Sequence, residues 1–103
     1  MTFRICLFEE AADEVEHERN WYRRRSESAE EAFLRELDQA IAAVPESPHM
    51  WPSYMAGTRR YVFPTFPFSL VYFTEGDLVL VVSIEAEHKK PGYWRERLPK
   101  GRS

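Results

Sequence analysis

The stretch HKKPGYWRER, residues 88–97, runs out of an apolar segment into a histidine, two lysines, a Pro-Gly break and two aromatic rings. His88 can take or give a proton near neutral pH, and Lys89 supplies a fixed positive charge. Arg60, in the earlier run TRRYVF, supplies another. These are the parts of a metal-free RNA cleavage, in which a ribose 2′-hydroxyl attacks its own phosphate. That reaction needs a base, an acid for the leaving oxygen and cations for the charged transition state. His88 would serve as base or acid, Arg60 and Lys89 as cations, and Tyr93 as a stacking platform for a nucleobase. The scheme requires the sheet order to bring Arg60 beside residues 88–89. A bland reading stands next to it. A lone histidine at a strand end is more often a hydrogen-bonded structural residue, and basic pairs beside strands usually protect an edge. Trp94, just after a Pro-Gly turn, reads as a core anchor.

Other chemistries find no support. His17, His49 and His88 are not spaced with one another or with Cys6 as zinc ligands are, and no phosphate-binding glycine loop or serine elbow is present. No metal or cofactor is expected. A single cysteine makes no internal disulfide, the N-terminal apolar run is too short for a signal peptide, and Leu78–Ile84 is far short of a membrane span. A cytoplasmic protein with no membrane partner is expected. The net charge of −3 hides an asymmetry: residues 1–57 carry 6 Lys/Arg against 12 Asp/Glu, and residues 58–103 carry 8 against 5. The overall acidity argues against broad, non-specific nucleic-acid binding.

The elements that must position these residues can be read from periodicity. TFRICLF, residues 2–8, alternates as a strand does. From Glu9 to Arg25 the apolar residues fall near helical spacing, although Glu18 and Arg19 interrupt the stripe. SAEE, Ser28 to Glu31, has the form of a capping box and opens a second helix, whose stripe of Ala29, Phe33, Leu37, Ala40, Ile41 and Val44 is expected to end at Pro45. Residues 45–57 are irregular, with Met50, Trp51 and Tyr54 expected to plug the end of the core. TRRYVF, FSLVYF and DLVLVVSIEA then read as three strands, joined by Pro64–Pro67 and by a tight TEGD hairpin. The expectation is an α+β fold of two layers, a helical hairpin on a mainly antiparallel sheet, in the order β-α-α-β-β-β with a short C-terminal segment. Residues 1–98 form a single domain, residues 99–103 are a loose tail, and the last strand is central and covered on both faces.

NWYRRRS at 20–26, AFLRELDQAI at 32–41, HMWP at 49–52, RRYVFPTFPFSLVYF at 59–73 and EHKKPGYWRER at 87–97 together resemble the RelE/ParE toxins of type II toxin-antitoxin systems. The resemblance spans nearly the whole chain, and the family's fold has the same element order. It implies a small cytoplasmic toxin that is neutralised by a cognate antitoxin. RelE-like members cut mRNA on the ribosome with a spread of basic residues and often a C-terminal tyrosine; ParE-like members lack that set and poison DNA gyrase. Here Arg60 falls at one RelE-like basic position, but Val62 and Ser69 stand at two others. Lys89 can replace a strand-end arginine, and Tyr93 or Trp94 lies near the terminal aromatic. The FPF and HKKPGYW wording is similar to the ParE-leaning, plasmid-stabilisation branch. The expected function is therefore growth inhibition by binding an essential target such as DNA gyrase. The alternatives are a ribosome-dependent mRNA endonuclease using Arg60, His88, Lys89 and Tyr93 without metal, or a degenerate, non-toxic relative.

Overall fold

The computed structural model describes residues 2–100. It contains β1 (Arg4–Leu7), α1 (Glu9–Arg25), α2 (Glu27–Glu46), β2 (Arg59–Val62), β3 (Phe68–Glu75) and β4 (Leu78–Ala86), with single 3-10 turns at Met55–Gly57 and Arg95–Arg97. The sheet order is β1-β4-β3-β2. β1 runs parallel to β4, and the other two pairings are antiparallel. The two-layer α+β architecture and the central place of β4 agree with the alternation and turn residues of the sequence. Of the tail, Pro99 and Lys100 are exposed, and residues 101–103 lie outside the described residues.

Phe3, Ile5 and Leu7 turn toward the helices. There they meet a core built from Ala11, Phe33, Leu37, Ala40 and Val44 of the hairpin and Tyr61, Leu70, Tyr72, Val79, Val81 and Ile84 of the sheet. The opposite face of β3 and β4 is also covered. Val71, Phe73 and Val82 pack there on Trp94, with Tyr54, Met55, Tyr93 and Leu98 around it. Strand β4 is apolar on both sides because it is covered on both sides.

The junction between the helices differs from the expected capping box. Ser26 closes α1 and also opens α2, its hydroxyl accepting the Ala29 amide at 3.0 Å. Ser28 lies inside the first turn and Glu31 is exposed. Glu30 is drawn instead to α1, where it accepts from Arg19 Nε at 2.8 Å and from Arg23 at 2.8 Å. Arg19, an apparent defect in the apolar stripe, thus ties the hairpin together. The helix also passes through Pro45 to Glu46, since in the last turn the missing N–H removes a single bond. Met50 is 64% exposed and plugs nothing, whereas Trp51 packs edge-on against Tyr61.

The Pro64–Pro67 loop is pinned from α2: Glu36 accepts the amides of Thr65 and Phe66, each at 3.1 Å. Burial raises the Glu36 pKa, but those two amides outweigh it and hold the carboxyl below its ordinary value. At the other hairpin Gly76 takes φ +57°, which a two-residue turn between Glu75 and Leu78 requires.

Candidate functional site: the C-terminal end of the sheet

Two carboxylates organise the end of β4. The last backbone bond along the β1 side is from Phe8 to the Val81 carbonyl, 2.9 Å. Past that point side chains meet the strand's polar groups. Glu14, on the second turn of α1, accepts from the Ile84 amide and the Ser83 hydroxyl with one oxygen, each at 3.0 Å. Its other oxygen accepts the Tyr93 hydroxyl in a short hydrogen bond and Arg97 at 3.0 Å. Arg97 also donates to the Val82 carbonyl at 3.0 Å. The second carboxylate, Glu85, is 6% exposed on the face away from the helices. It accepts from Tyr54 at 2.7 Å, the Gly92 amide at 3.0 Å and Trp94 Nε1 at 2.7 Å. All three partners are neutral donors. A buried carboxylate is tolerable only when so supplied.

These contacts explain PGYW. Gly92 takes φ +80°, and a Cβ there would meet Met55 Sδ at 2.7 Å. The turn therefore brings the backbone close enough for Glu85 to hold its amide. Trp94 is fully buried, an area worth roughly 5 kcal/mol of gross transfer free energy. Desolvation, followed by the Glu14 hydrogen bond, pushes the Tyr93 hydroxyl well above its ordinary pKa. It is a fixed donor to a carboxylate, poorly suited to losing its proton.

The structure divides the residues that the sequence suggested for RNA cleavage. Arg60 and Val62 point to the Trp94 side of the sheet, where the Arg60 guanidinium lies 4.3 Å over the Tyr54 ring. His88 and Lys89 are exposed in the turn after β4 and line clefts against α1. Strand β3 lies between β2 and β4, so the sheet order that would have joined the two groups does not occur. Lys89 Nζ sits 5.0 Å over Tyr93. The most informative positions form one row across the sheet. Val62 pairs with Ser69, and Ser69 pairs with Glu85. Paired residues share a face, so the row reads valine, serine, carboxylate.

Glu14 and Glu85 were not singled out from the sequence. Glu85 left a signal, as a lone acid in VVSIEA, the end of an otherwise apolar strand covered on both faces. Glu14 belongs to a second pattern. Glu10, Asp13, Glu14, His17, Glu18 and Trp21 recur at helical spacing and lie along one side of α1, flanking the face that buries Ala11. They form one wall of two adjoining clefts of about 380 and 310 Å³, which share His17, Glu18 and Lys89. Acids three and four apart on a helix repel, at roughly 0.2–0.5 kcal/mol per pair. Arg97 relieves Glu14. Among the described residues Glu10, Asp13 and Glu18 have no salt bridge, and no group of three or more His, Cys, Asp or Glu could hold a metal ion. Among the described residues no helix is long and apolar enough to cross a membrane.

Residues 7–91 match the model of the ParE toxin of type II toxin-antitoxin systems, parDE. Among solved structures, the chain is similar to one from the chromosomal ParDE toxin-antitoxin system of P. aeruginosa, with a TM-score of 0.72 and 17% identity over 82% of this chain and 96% of that one. It is also similar to a free-state E. coli toxin RelE carrying two arginine-to-alanine substitutions, with a TM-score of 0.64 and 19% identity over 96% of this chain and 100% of that one. No curated protein matches the sequence.

Proposed function

Because the chain belongs to the ParE toxin family of type II toxin-antitoxin systems, we propose that it inhibits growth by binding an essential protein such as DNA gyrase, without cutting RNA, and that a cognate antitoxin neutralises it. The observation that carries this reading is the row Val62, Ser69, Glu85. A phosphorane accumulates negative charge, and each missing cation costs on the order of 10²-fold in rate. Here two neutral side chains lead to a carboxylate, which would repel the phosphate. Tyr93 and Trp94 are committed to Glu14 and Glu85, and Arg60 to the Tyr54 ring. A binding toxin needs none of these groups for chemistry.

The test is induced expression in a bacterial host with and without the neighbouring open reading frame, scoring growth, message ends and plasmid supercoiling in the same cells. Arrest relieved by the neighbour, with altered supercoiling and intact message, is expected. His88→Ala and Arg60→Ala should arrest growth as the parent does. Ribosome-phased cuts abolished by either substitution would overturn the binding mechanism, and normal growth on soluble expression would remove the toxin reading altogether.

A further inference from the structure

The acidic side of α1 is locally unfavourable, since like charges follow one another at i, i+3 and i+4; among the described residues Glu14 is the one of these acids with a salt bridge, and Arg97 reaches Glu10 through longer-range attraction alone. Sequences tend to break a local rule where a partner makes the repulsion good. The cleft beside this side has two chemically distinct ends. At one, the acids Glu10, Asp13, Glu14 and Glu18 outnumber the cations Lys89, whose ammonium lies over the Tyr93 ring, and Arg97, which is paired with Glu14. At the other, Tyr22 and Phe68 form an apolar wall together with Trp21, which is 39% exposed with the Arg25 guanidinium 4.1 Å over its ring. From residue 10 to residue 21 the helix rises about 16 Å, the length of roughly five residues of extended chain.

We infer that this cleft along α1 is the docking groove for a segment of the antitoxin that sets lysine or arginine over Glu10, Asp13 and Glu18 and a bulky apolar side chain over Trp21 and Phe68. The inference rests on the antitoxin reading above and adds where and by what chemistry the antitoxin is held. Charge complementarity selects the occupant: the groove's unpaired charge is negative, so a basic segment gains where an acidic one is repelled. The Trp21 end fixes direction along the groove, because a segment entered in reverse would bring its cation against the Arg25 guanidinium that already lies over that ring and set its apolar group among the acids.

The experiment titrates the purified neighbouring-frame product into the full chain by calorimetry, at low and at moderate salt. Asp13→Lys, Glu18→Lys and Trp21→Ala lie outside both carboxylate hubs, and circular dichroism checks that each variant folds. Each is expected to weaken binding by about tenfold or more. The two lysine variants should also flatten the salt dependence. Asp38→Lys, an exposed acid on α2 away from the cleft, should bind as the parent does. Binding that is equally tight in all variants would overturn the groove and leave the antitoxin reading standing. Absence of binding to the parent chain would remove that reading, and the groove with it. Variants that bind antitoxin normally but no longer arrest growth would assign the groove to the target and overturn the inference as well.

Discussion

Tyr93→Phe separates a structural tyrosine from a chemical one. The substitution keeps the ring that packs beside Trp94 and removes only the hydroxyl bonded to Glu14 and Ser83. Glu14 then retains the Ile84 amide, the Ser83 hydroxyl and Arg97, so the carboxylate is not stranded. The hydroxyl's single proton goes to Glu14, so the loss is one hydrogen bond to a charged acceptor together with the contact to the Ser83 hydroxyl, about 1.5–3 kcal/mol, with the lower half of that range expected because three donors to Glu14 remain. Against a total stability of about 5–15 kcal/mol the domain still folds. A chain of this size loses about 4–8 °C in Tm per kcal/mol, so the midpoint should drop by on the order of 10 °C. Chemical denaturation should show an unchanged m-value with a lower midpoint. Growth arrest at a permissive temperature should persist, since the hydroxyl takes part in no reaction under this reading. The reasoning fails if Tm is unchanged while arrest is abolished, for then the hydroxyl acts on a ligand and not on Glu14.

Three further outcomes follow from the same geometry. Gly92→Ala places a Cβ 2.7 Å from Met55 Sδ at φ +80° and should cost about 1–3 kcal/mol in denaturant melts. Adding Met55→Ala should recover only the steric share, leaving the strain of the left-handed backbone. Arg23 and then Arg19 hold the Glu30 carboxyl at about 2, well below its ordinary 4.5. A depressed carboxylate stabilises the fold above its unfolded pKa and loses that contribution as pH falls through the folded one. Tm should therefore decline from about pH 4.5 toward 2, and Glu30→Gln should start lower and decline less steeply over that window.

The architecture was legible because it rests on local information: alternation in TFRICLF, a continuous helical stripe ending near Pro45, and turn residues at Pro64–Pro67 and Gly76. Trp94 was readable as an anchor for the same reason, a large ring placed by a Pro-Gly turn. What failed depended on distant partners. Ser26 and Ser28 both offer a capping hydroxyl, and the helix opens at Ser26, two residues before the expected cap, with Glu30 drawn across the hairpin to Arg19 and Arg23. Met50 looked like a core aliphatic but falls in a turn that leaves it in solvent. Glu14 meets Tyr93 and Arg97 across most of the chain, and no short-range pattern reports such a pairing. The basic candidates were separated by a topological fact, the insertion of β3 between β2 and β4.

The row from Val62 to Glu85 also bears on whether RNA chemistry is a short step away. Placing cations at the two neutral positions, Val62→Lys with Ser69→Arg, restores the residue types that phosphate stabilisation needs. Yet Ser69 is 6% exposed and directly paired with Glu85, and side chains so paired start about 5 Å apart. An arginine at 69 would therefore meet the Glu85 carboxylate before any phosphate, competing for an oxygen that now accepts from Tyr54 or Trp94. Removing Glu85 as well would strand the Tyr54 hydroxyl, the Gly92 amide and Trp94 Nε1, each at about 1–3 kcal/mol if left buried and unpaired. In this chain a phosphate site and the anchoring of the C-terminal segment compete for the same carboxylate. The double variant should accordingly be less stable than the parent and produce no ribosome-phased message ends on induction. Cleavage by that variant with Glu85 intact would show that the carboxylate does not control the site.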